Sequence, residues 1–401
     1  MCQSLPIPIS GSVAPGFERV LRAFERNFRE TDEIGAACAM YHRGEKVVDL
    51  WGGFRDQART SPWEQDTLVL AFSTTKGMAA IAVAVALSRR LFELDQPVCT
   101  YWPEFAQQGK EAITVRQLLS HQAGLCVIDA PINADLLADL DRLAEVLARQ
   151  SPAWPAGQRQ GYHYLSLGLY ENELIRRTDP RGRSLGTFLR EEICQPLGIE
   201  FHIGLPSDFP CDRIAPIHGF KKSEMMLHLN KMPAKLVLSL MCPRSLTART
   251  LLNPHLNSPA DLDAAEYRAV EVPGACGIGS ASSLAKAYGE IASGGRVLGL
   301  SQQVIETLHS PASPPPSGYR DAVMKIDMSF ALGFMKPFPS FRFGSSDTSF
   351  GCPGAGGSFA FADPDLDMGF AYVMNKMGFH VFDDPRERAL RNACYECLSD
   401  L

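Results

Sequence analysis

Hydrophobic and polar residues alternate along this chain in patterns that predict both helices and short strands. Across residues 17–28 the apolar side chains recur at helical spacing, which predicts an amphipathic helix. Residues 35–41 and 46–51 are short strand-like runs, and the four residues between them favour a hairpin. From residue 76 to 90 the sequence is apolar on nearly every side, so we expect a helix buried at the molecule's centre.

The two ends of the chain differ in pattern from its middle. Three short runs near the C-terminus read as strands before a terminal helix, at 328–335, 358–362 and 368–374. Residues 96–290 are mainly helical in pattern, with loops rich in Pro and Gly. We therefore expect one catalytic unit over residues 1–401, in which residues 1–95 and 291–401 form an α/β subdomain that residues 96–290 interrupt. Within that middle part, residues 206–255 show no clear period, and we expect a lid or substrate-lining segment there.

Composition and charge exclude several classes of protein. The 401 residues are 45% hydrophobic, enough for one large unit or two closely packed subdomains. The net charge of −6 is spread without a basic stripe, so we expect no nucleic-acid partner. The N-terminus has no signal-peptide pattern, and the longest apolar run, 78–87, is too short to span a bilayer. We therefore expect a cytoplasmic protein with no membrane partner, in which the eleven irregularly spaced cysteines are free thiols.

Two cysteines near the C-terminus, Cys394 and Cys397, form a CxxC pair within the predicted terminal helix. No second CxxC and no nearby pair of histidines completes a zinc site. Two small apolar side chains on one helix face are therefore favoured over a redox or metal site. We expect a protein that works without a metal or cofactor.

Candidate chemistry begins with Ser73-Thr-Thr-Lys76, at the start of the predicted buried helix. An amine one helical turn from a hydroxyl can reach it, and it can remove the proton only when it is itself neutral. Burial favours that neutral state, and the helix N-terminus favours negative charge developing on the serine. The alternative is that Ser73 only caps the helix while Lys76 extends to solvent.

Two other serine motifs are interpreted as structural. Ser283-Leu-Ala-Lys286 is a second SxxK, but it follows a loop of small residues, and we interpret Ser282 or Ser283 as a helix N-cap. The motif Gly182-Arg-Ser-Leu-Gly186 lacks the buried strand that must precede a nucleophile elbow, because residues 176–181 are mostly charged. An α/β-hydrolase is therefore excluded.

Two later motifs accompany Ser73 and Lys76. Residues 155–161 form a turn that leads into Tyr162-His-Tyr at the start of a helix, and residues 350–358 are a glycine-rich stretch running into strands. This order resembles the class C β-lactamases, DD-peptidases and family VIII carboxylesterases. Residues 113–125 and 161–177 are similar to the esterase-type members, and the resemblance extends over nearly the whole chain.

The resemblance implies a β-lactamase/transpeptidase-like fold of the α/β class, with an antiparallel sheet flanked by helices beside a mostly helical subdomain. It also implies that Ser73 is acylated, that Lys76 is its base, and that Tyr162 protonates the leaving group and then helps to activate water. The backbone N–H groups of Ser73 and Ala355 would form the oxyanion hole. A glycine-rich strand edge suits that role, because the backbone must approach the substrate closely.

Two positions depart from the pattern of the resembled families. The triplet Cys352-Pro-Gly354 begins with a cysteine where relatives usually carry Lys, His or Trp, and Tyr164 stands where β-lactamases carry Asn. A cysteine offers no charge to a β-lactam or peptide carboxylate, so ester hydrolysis is favoured over those activities. A small structural residue is favoured over a Cys352 nucleophile, since no base lies beside it in sequence.

Three further residues, Cys352, Gly354 and His163, are candidate substrate contacts. His163 adjoins Tyr162, where it would tune the tyrosine or line the pocket. His121 lies shortly before Gly124, which suits a helix C-cap, and we interpret this histidine as structural.

Together these features predict a carboxylesterase-like serine hydrolase that cleaves small or medium acyl esters through an acyl-enzyme. The alternatives are an acyltransferase of the same fold, a β-lactamase or DD-peptidase, and a catalytically inactive scaffold. The natural substrate and the oligomeric state are not determined by the sequence.

Overall fold

The computed structural model describes residues 7–220, 224 and 227–400, and its largest element is an antiparallel sheet of eight strands. The order across this sheet is β1-β3-β2-β12-β11-β10-β9-β8. Its strands are β1 (Ile9–Val13), β2 (Gly35–His42), β3 (Glu45–Gly53), β8 (Phe330–Ala331), β9 (Phe334–Met335), β10 (Phe350–Pro353), β11 (Phe359–Asp363) and β12 (Met368–Met374). The predicted strands near both chain ends thus form one sheet, because β12 pairs with β2, Tyr372 opposite Cys38.

Helices cover both faces of this sheet. On β12, Gly369 faces the helix Ala281–Ala292 so closely that a Cβ on it would lie 2.1 Å from the backbone nitrogen of Gly289. The next residue, Phe370, points to the opposite face, where it packs against Phe361. Phe361 in turn stacks on Tyr395 of the terminal helix Pro385–Ser399. Side chains therefore alternate between the two helical layers along the strand.

The run at 328–335, predicted as one strand, is a hairpin of two short strands. β8 ends at Ala331 and β9 begins at Phe334, and the two residues between them both have positive φ, Leu332 at 45° and Gly333 at 86°. A two-residue turn with φ positive at both positions matches the twist of an antiparallel pair. Leu332 is buried, so the apolar pattern continues through the turn. The sequence pattern therefore gives no sign that the chain reverses direction there.

A second sheet of four strands, in the order β5-β7-β4-β6, carries the segment before Ser73. Its strands are β4 (Leu68–Leu70), β5 (Phe201–Ile203), β6 (Ile214–Ala215) and β7 (Gly277–Gly279). The run that precedes Ser73 is therefore a strand, but its partners come from the middle of the chain. β4 pairs antiparallel with β7 and parallel with β6.

The helix Thr75–Ser88 is the buried central helix that the sequence predicts. Every residue from Thr75 to Leu87 is buried, and the helix ends two residues earlier than predicted. Gly77 lets this helix approach the helix Ala281–Ala292, because a Cβ there would lie 1.7 Å from the Tyr288 hydroxyl oxygen. Packing on every side explains why its sequence shows no polar face.

The remaining helices follow the predicted pattern with small changes. Two short helices, Ala134–Ala138 and Leu140–Arg149, follow each other directly, and Asp139 between them caps the second. The other α-helices are Glu18–Glu30, Val115–Leu119, Ala134–Ala138, Leu140–Arg149, Ser166–Thr178, Leu185–Leu189, Gln195–Leu197, Ala234–Leu240, Leu246–Leu251, Ala265–Arg268 and Gln302–His309. Within the described ranges, none of the helices has the length and apolar character needed to cross a membrane. The ten cysteines in these ranges are all free thiols.

Candidate active site

Ser73 lies in a short turn between β4 and the central buried helix. The preceding residue, Phe72, has φ of 49°, a left-handed conformation that aromatic residues rarely adopt. Such a conformation costs of order 1–3 kcal/mol and persists where the surroundings fix it, and Phe72 is only 2% exposed. One turn of 3-10 helix, Phe72–Thr74, then joins the α-helix that begins at Thr75. The fold thus holds Ser73 at the N-terminus of a fully buried helix.

Lys76 meets Ser73 inside the protein. Its Nζ lies 3.3 Å from the Ser73 Oγ and donates a hydrogen bond of 2.5 Å to the carbonyl oxygen of Gly274. The side chain is 1% exposed, and this burial lowers the pKa of Lys76 to about 7, although the nearby carboxyl group of Glu171 acts in the opposite direction. At neutral pH a large share of Lys76 is therefore the free amine that can accept a proton.

Tyr162 lies beside both residues. The Lys76 Nζ is 4.9 Å from the centroid of the Tyr162 ring and 5.6 Å from that of Tyr164. Burial raises the pKa of the Tyr162 hydroxyl far above its ordinary value, and hydrogen bonding with the Ser73 side chain opposes that shift. The structure therefore brings together the three residues that the sequence selects, with Tyr162 in the loop before the helix Ser166–Thr178.

The glycine-rich turn after β10 is fastened to the Ser73 turn. A Cβ on Gly354 would lie 2.5 Å from the carbonyl oxygen of Ala71, so only glycine allows this approach. Ser358 donates a hydrogen bond of 2.8 Å to the same carbonyl and accepts one of 3.2 Å from Thr74. Ala355, the first residue of the turn, is thereby placed next to the Ser73 segment.

Cys352, a predicted substrate contact, is a buried residue of β10, and its contact with substrate stays a prediction. The side chain is 2% exposed, and its Sγ donates to the carbonyl oxygen of Gly333 at 3.8 Å. Burial raises the pKa of this thiol to about 12, so the sulfur stays protonated. Cys352 is thus a small interior residue of β10.

His163, the other predicted side-chain contact, is buried and bonded to the backbone. Its Nε2 accepts the N–H of Leu125 at 3.0 Å, and its Nδ1 donates to the carbonyl oxygen of Gly161 at 2.6 Å. Both ring nitrogens are therefore used by the backbone, in the tautomer that carries the proton on Nδ1. Burial lowers the pKa of His163 to about 4, which keeps the ring neutral. His163 holds the Tyr162 loop against the segment around Leu125.

His121 is structural, as its sequence context predicts, although Gly124 does not cap a helix. The helix Val115–Leu119 ends at Ser120, before His121 with φ of 59°. The His121 Nδ1 accepts the backbone N–H of His163 at 2.9 Å, and its ring centroid is 5.4 Å from that of Tyr162. The two histidines thus hold the backbone next to Tyr162 in place, and His121 also packs against the Tyr162 ring.

The two alternative serine motifs both lie at helix N-termini. Ser280, rather than the predicted Ser282 or Ser283, caps the helix Ala281–Ala292 by accepting the N–H of Ser283 at 3.1 Å. Ser184 of the GxSxG motif caps Leu185–Leu189 and donates to Glu271 at 2.6 Å. Cys394 and Cys397 are buried on the terminal helix. In the described part of the chain, no group of three His, Cys, Asp or Glu residues could hold a metal ion.

Two neighbours of Lys76 were not predicted from the sequence. Gly274 supplies only a backbone carbonyl, for which the sequence carries no signal. Glu171 is fully buried, and neither of its carboxylate oxygens has a hydrogen-bond partner among the described residues. Burial raises the pKa of Glu171 to about 8, while Lys76 lowers it. The sequence does carry a signal for Glu171, because an acidic residue on the apolar face of a helix, between Leu167 and Leu174, is unusual and indicates a special environment.

Comparisons with known proteins place the chain in a family. A family model described as Beta-lactamase matches residues 21–395. Esterase/beta-lactamase LipL of Mycobacterium tuberculosis is 30% identical over 374 residues, which are 92% of this chain and 83% of that protein. The crystal structure of a family VIII carboxylesterase, 36% identical, covers 97% of this chain and 100% of its own with a TM-score of 0.84.

A penicillin-binding protein homologue from Caulobacter crescentus is similar to the same degree. It is 37% identical, with a TM-score of 0.83 over 97% of this chain and 100% of its own. These similarities confirm the fold class that the sequence predicts. Because the family match spans nearly all of the described residues, the chain belongs to the beta-lactamase family of serine hydrolases.

Proposed function

We propose that this protein hydrolyses small or medium acyl esters through an acyl-enzyme formed on Ser73. The observation that carries the proposal is the 3.3 Å separation between the Ser73 Oγ and the buried amine of Lys76. The names of the similar proteins, an esterase/beta-lactamase and a carboxylesterase, support the same substrate class. No metal or cofactor takes part in the proposed reaction.

In the acylation step, the neutral Lys76 amine accepts the proton of the Ser73 hydroxyl as its oxygen attacks the ester carbonyl. In this proposal one N–H of the Lys76 amine stays bonded to the carbonyl oxygen of Gly274, which leaves the lone pair free to accept the serine proton. Negative charge then develops on the carbonyl oxygen, where the backbone N–H groups of Ser73 and Ala355 would stabilise it.

Tyr162 completes the proton path in this proposal. Its hydroxyl gives a proton to the departing alkoxide and regains one from the Lys76 ammonium, so that the alcohol leaves neutral. In deacylation a water molecule attacks the acyl carbonyl and loses its proton to the same pair. The pair passes that proton to the Ser73 oxygen as its bond to the acyl carbon breaks, which releases the carboxylic acid and restores the Ser73 hydroxyl. Because the pKa of Tyr162 is high, its hydroxyl keeps its proton in the resting enzyme and gives it up only to the strongly basic alkoxide.

The interior position of Cys352 favours esters over β-lactams and peptides. Substrates of the latter classes carry a carboxylate, and the protonated thiol of Cys352 offers it neither charge nor exposed surface. An ester without a carboxylate has no such requirement. Acyl transfer to an alcohol would use the same acyl-enzyme, with the alcohol in place of water.

Turnover of p-nitrophenyl butyrate, together with labelling by a fluorophosphonate, tests the proposal. Ser73→Ala is expected to abolish both, and mass spectrometry of the wild type should find the label on Ser73. Ser283→Ala, in the second SxxK motif, is the matched control and should keep both. Label on another residue, or unchanged turnover by Ser73→Ala, would contradict the assignment; a folded wild type that turns over no ester would favour the scaffold.

A further inference from the structure

A segment that we call the strap, residues 227–253, runs between the two sides of the candidate active site. At its start, the ring of His228 lies 4.1 Å from that of Phe379, and the Nζ of Lys231 lies 5.8 Å from the same ring. The residue before Phe379, Gly378, donates its N–H to the carbonyl oxygen of Gly356 at 2.8 Å. The strap is therefore anchored beside the turn that contains Ala355.

The other end of the strap is anchored on the Tyr162 side. Thr247 donates a hydrogen bond of 2.6 Å to the carbonyl oxygen of Val323. Val323 contacts Gly161, directly before Tyr162, since a Cβ there would lie 3.4 Å from its side chain. Asn253 adds a hydrogen bond of 2.8 Å to the carbonyl oxygen of Ile128. The strap thus borders the site from the oxyanion side to the tyrosine side.

The strap concentrates the exposed apolar side chains of the protein. Six large apolar residues of the described part of the chain are strongly exposed, and four of them lie on the strap. These four are Leu227 at 79%, Leu238 at 67%, Met241 at 76% and Leu252 at 47%. Leu238 and Met241 lie three residues apart, at the end of the helix Ala234–Leu240. Exposed apolar residues that cluster in this way mark a surface that contacts another phase or molecule.

The strap is also basic, in a protein that is acidic overall. It contains Lys231, Lys235, Arg244 and Arg249 and no acidic residue, whereas the whole chain carries a net charge of −6. Lys235 and Arg244 are exposed next to the apolar residues, and Arg249 is paired with Asp129 at 2.6 Å. Apolar side chains flanked by cations match the chemistry of an anionic phospholipid surface.

We propose that the strap docks this protein on an anionic phospholipid bilayer, so that the mouth of the site faces acyl esters held in that surface. This inference rests on the proposed function for the nature of the substrate. A second copy of the chain is a poorer occupant, because two basic straps would repel each other. The proposal replaces the expectation from sequence that no membrane takes part.

Co-sedimentation with vesicles tests the docking directly. The full-length protein is expected to bind phosphatidylglycerol-containing vesicles, to bind pure phosphatidylcholine weakly, and to be released by high salt. The variant Leu238→Ser/Met241→Ser should bind at least about tenfold more weakly. The variant Lys235→Gln/Arg244→Gln should lose about tenfold or more on the anionic vesicles, since each cation contributes about fivefold.

The control is Val297→Ser, which removes an apolar side chain that is also strongly exposed, at 60%, but lies outside the strap. It should bind vesicles like the wild type. All these variants should hydrolyse water-soluble p-nitrophenyl acetate at the wild-type rate, which shows that they are folded.

Three results would overturn the proposal. The first is equal or absent binding of the wild type to the two kinds of vesicle. The second is a loss of binding in Val297→Ser as large as that in the strap variants. The third is a wild-type dimer that the strap variants dissociate, which would assign the strap to a protein interface. Ser73→Ala should bind vesicles normally, so a failure of the proposed esterase function would leave the docking result intact.

Discussion

Lys76 donates a hydrogen bond of 2.5 Å to the carbonyl oxygen of Gly274, almost two hundred residues further along the chain. Gly274 reaches this position by packing tightly against the helix Ser166–Thr178, where a Cβ on Gly168 would lie 2.4 Å from its nitrogen. One N–H group of the buried amine is held by this hydrogen bond, and its lone pair remains available to Ser73. Three distant segments therefore cooperate in placing one nitrogen atom.

The first prediction concerns the pH dependence of ester hydrolysis. Because burial lowers the pKa of Lys76 to about 7, kcat/KM for p-nitrophenyl butyrate should rise with pH through about 7 and then level off. Below that pH the amine is protonated and cannot accept the serine proton. A rate that stays constant on both sides of pH 7 would show that Lys76 is not the base.

The second prediction uses the buried carboxyl group near Lys76. Glu171 raises the pKa of Lys76, so Glu171→Gln should move the rising limb of kcat/KM to lower pH. Glu173→Gln is the matched control on the same helix, because Glu173 pairs with Arg176 and Arg177 instead. The comparison of the two pH profiles decides, and equal shifts in both variants would refute the coupling to Lys76.

The third prediction separates the two tyrosines that flank Lys76. Tyr162→Phe removes the proposed proton donor and should lower kcat by roughly 10²–10⁴-fold. Tyr164→Phe, whose ring is further from the amine, should retain most of the activity. Steady-state kinetics on the same ester measure both, and the reverse order of effects would transfer the acid–base role to Tyr164.

The fourth prediction concerns the stability that His163 provides. His163→Ala leaves the N–H of Leu125 and the carbonyl group of Gly161 buried without partners, at a cost of about 2–4 kcal/mol in the free energy of unfolding. His255→Ala, at an exposed position, should change it by less than about 0.5 kcal/mol. Urea unfolding measures both changes. If His163→Ala left the free energy of unfolding unchanged, the structural role of His163 would be refuted.

The fifth prediction concerns the close approach of two helices. Gly77→Ala places a methyl group on the Tyr288 hydroxyl, where the separation would be 1.7 Å, and should destabilise the protein by several kcal/mol. Tyr288→Phe removes the obstructing oxygen, so the double variant should recover part of that loss. A double-mutant cycle on the melting temperatures measures the coupling, and strictly additive effects would contradict the contact.

The last prediction concerns Cys352. Cys352→Ala should keep ester hydrolysis within a small factor, because the thiol is buried and protonated. Nitrocefin should be hydrolysed poorly or not at all by the wild type, since this position offers no cation to the lactam carboxylate. Efficient nitrocefin cleavage would show that another residue supplies the charge, and loss of ester hydrolysis in Cys352→Ala would reopen its catalytic role.

The sequence by itself determined the local features of this protein. The apolar run after Ser73 predicted the buried helix Thr75–Ser88, and the three-residue spacing of Ser73 and Lys76 placed the hydroxyl beside the amine. Local geometry carries such information because helical spacing fixes which side chains are neighbours. The alternating runs near both ends likewise predicted the strands, though not the reversal at Leu332 and Gly333.

Only the tertiary structure decided what surrounds that pair. The partners of Lys76 and His163 are backbone groups of Gly274, Leu125 and Gly161, and every residue carries such groups, so composition gives no sign of them. Burial likewise depends on what packs from elsewhere, which is why the sequence does not show that Cys352 and His163 are buried. The sequence identifies the candidate reacting groups, and long-range packing sets their pKa values and orientation.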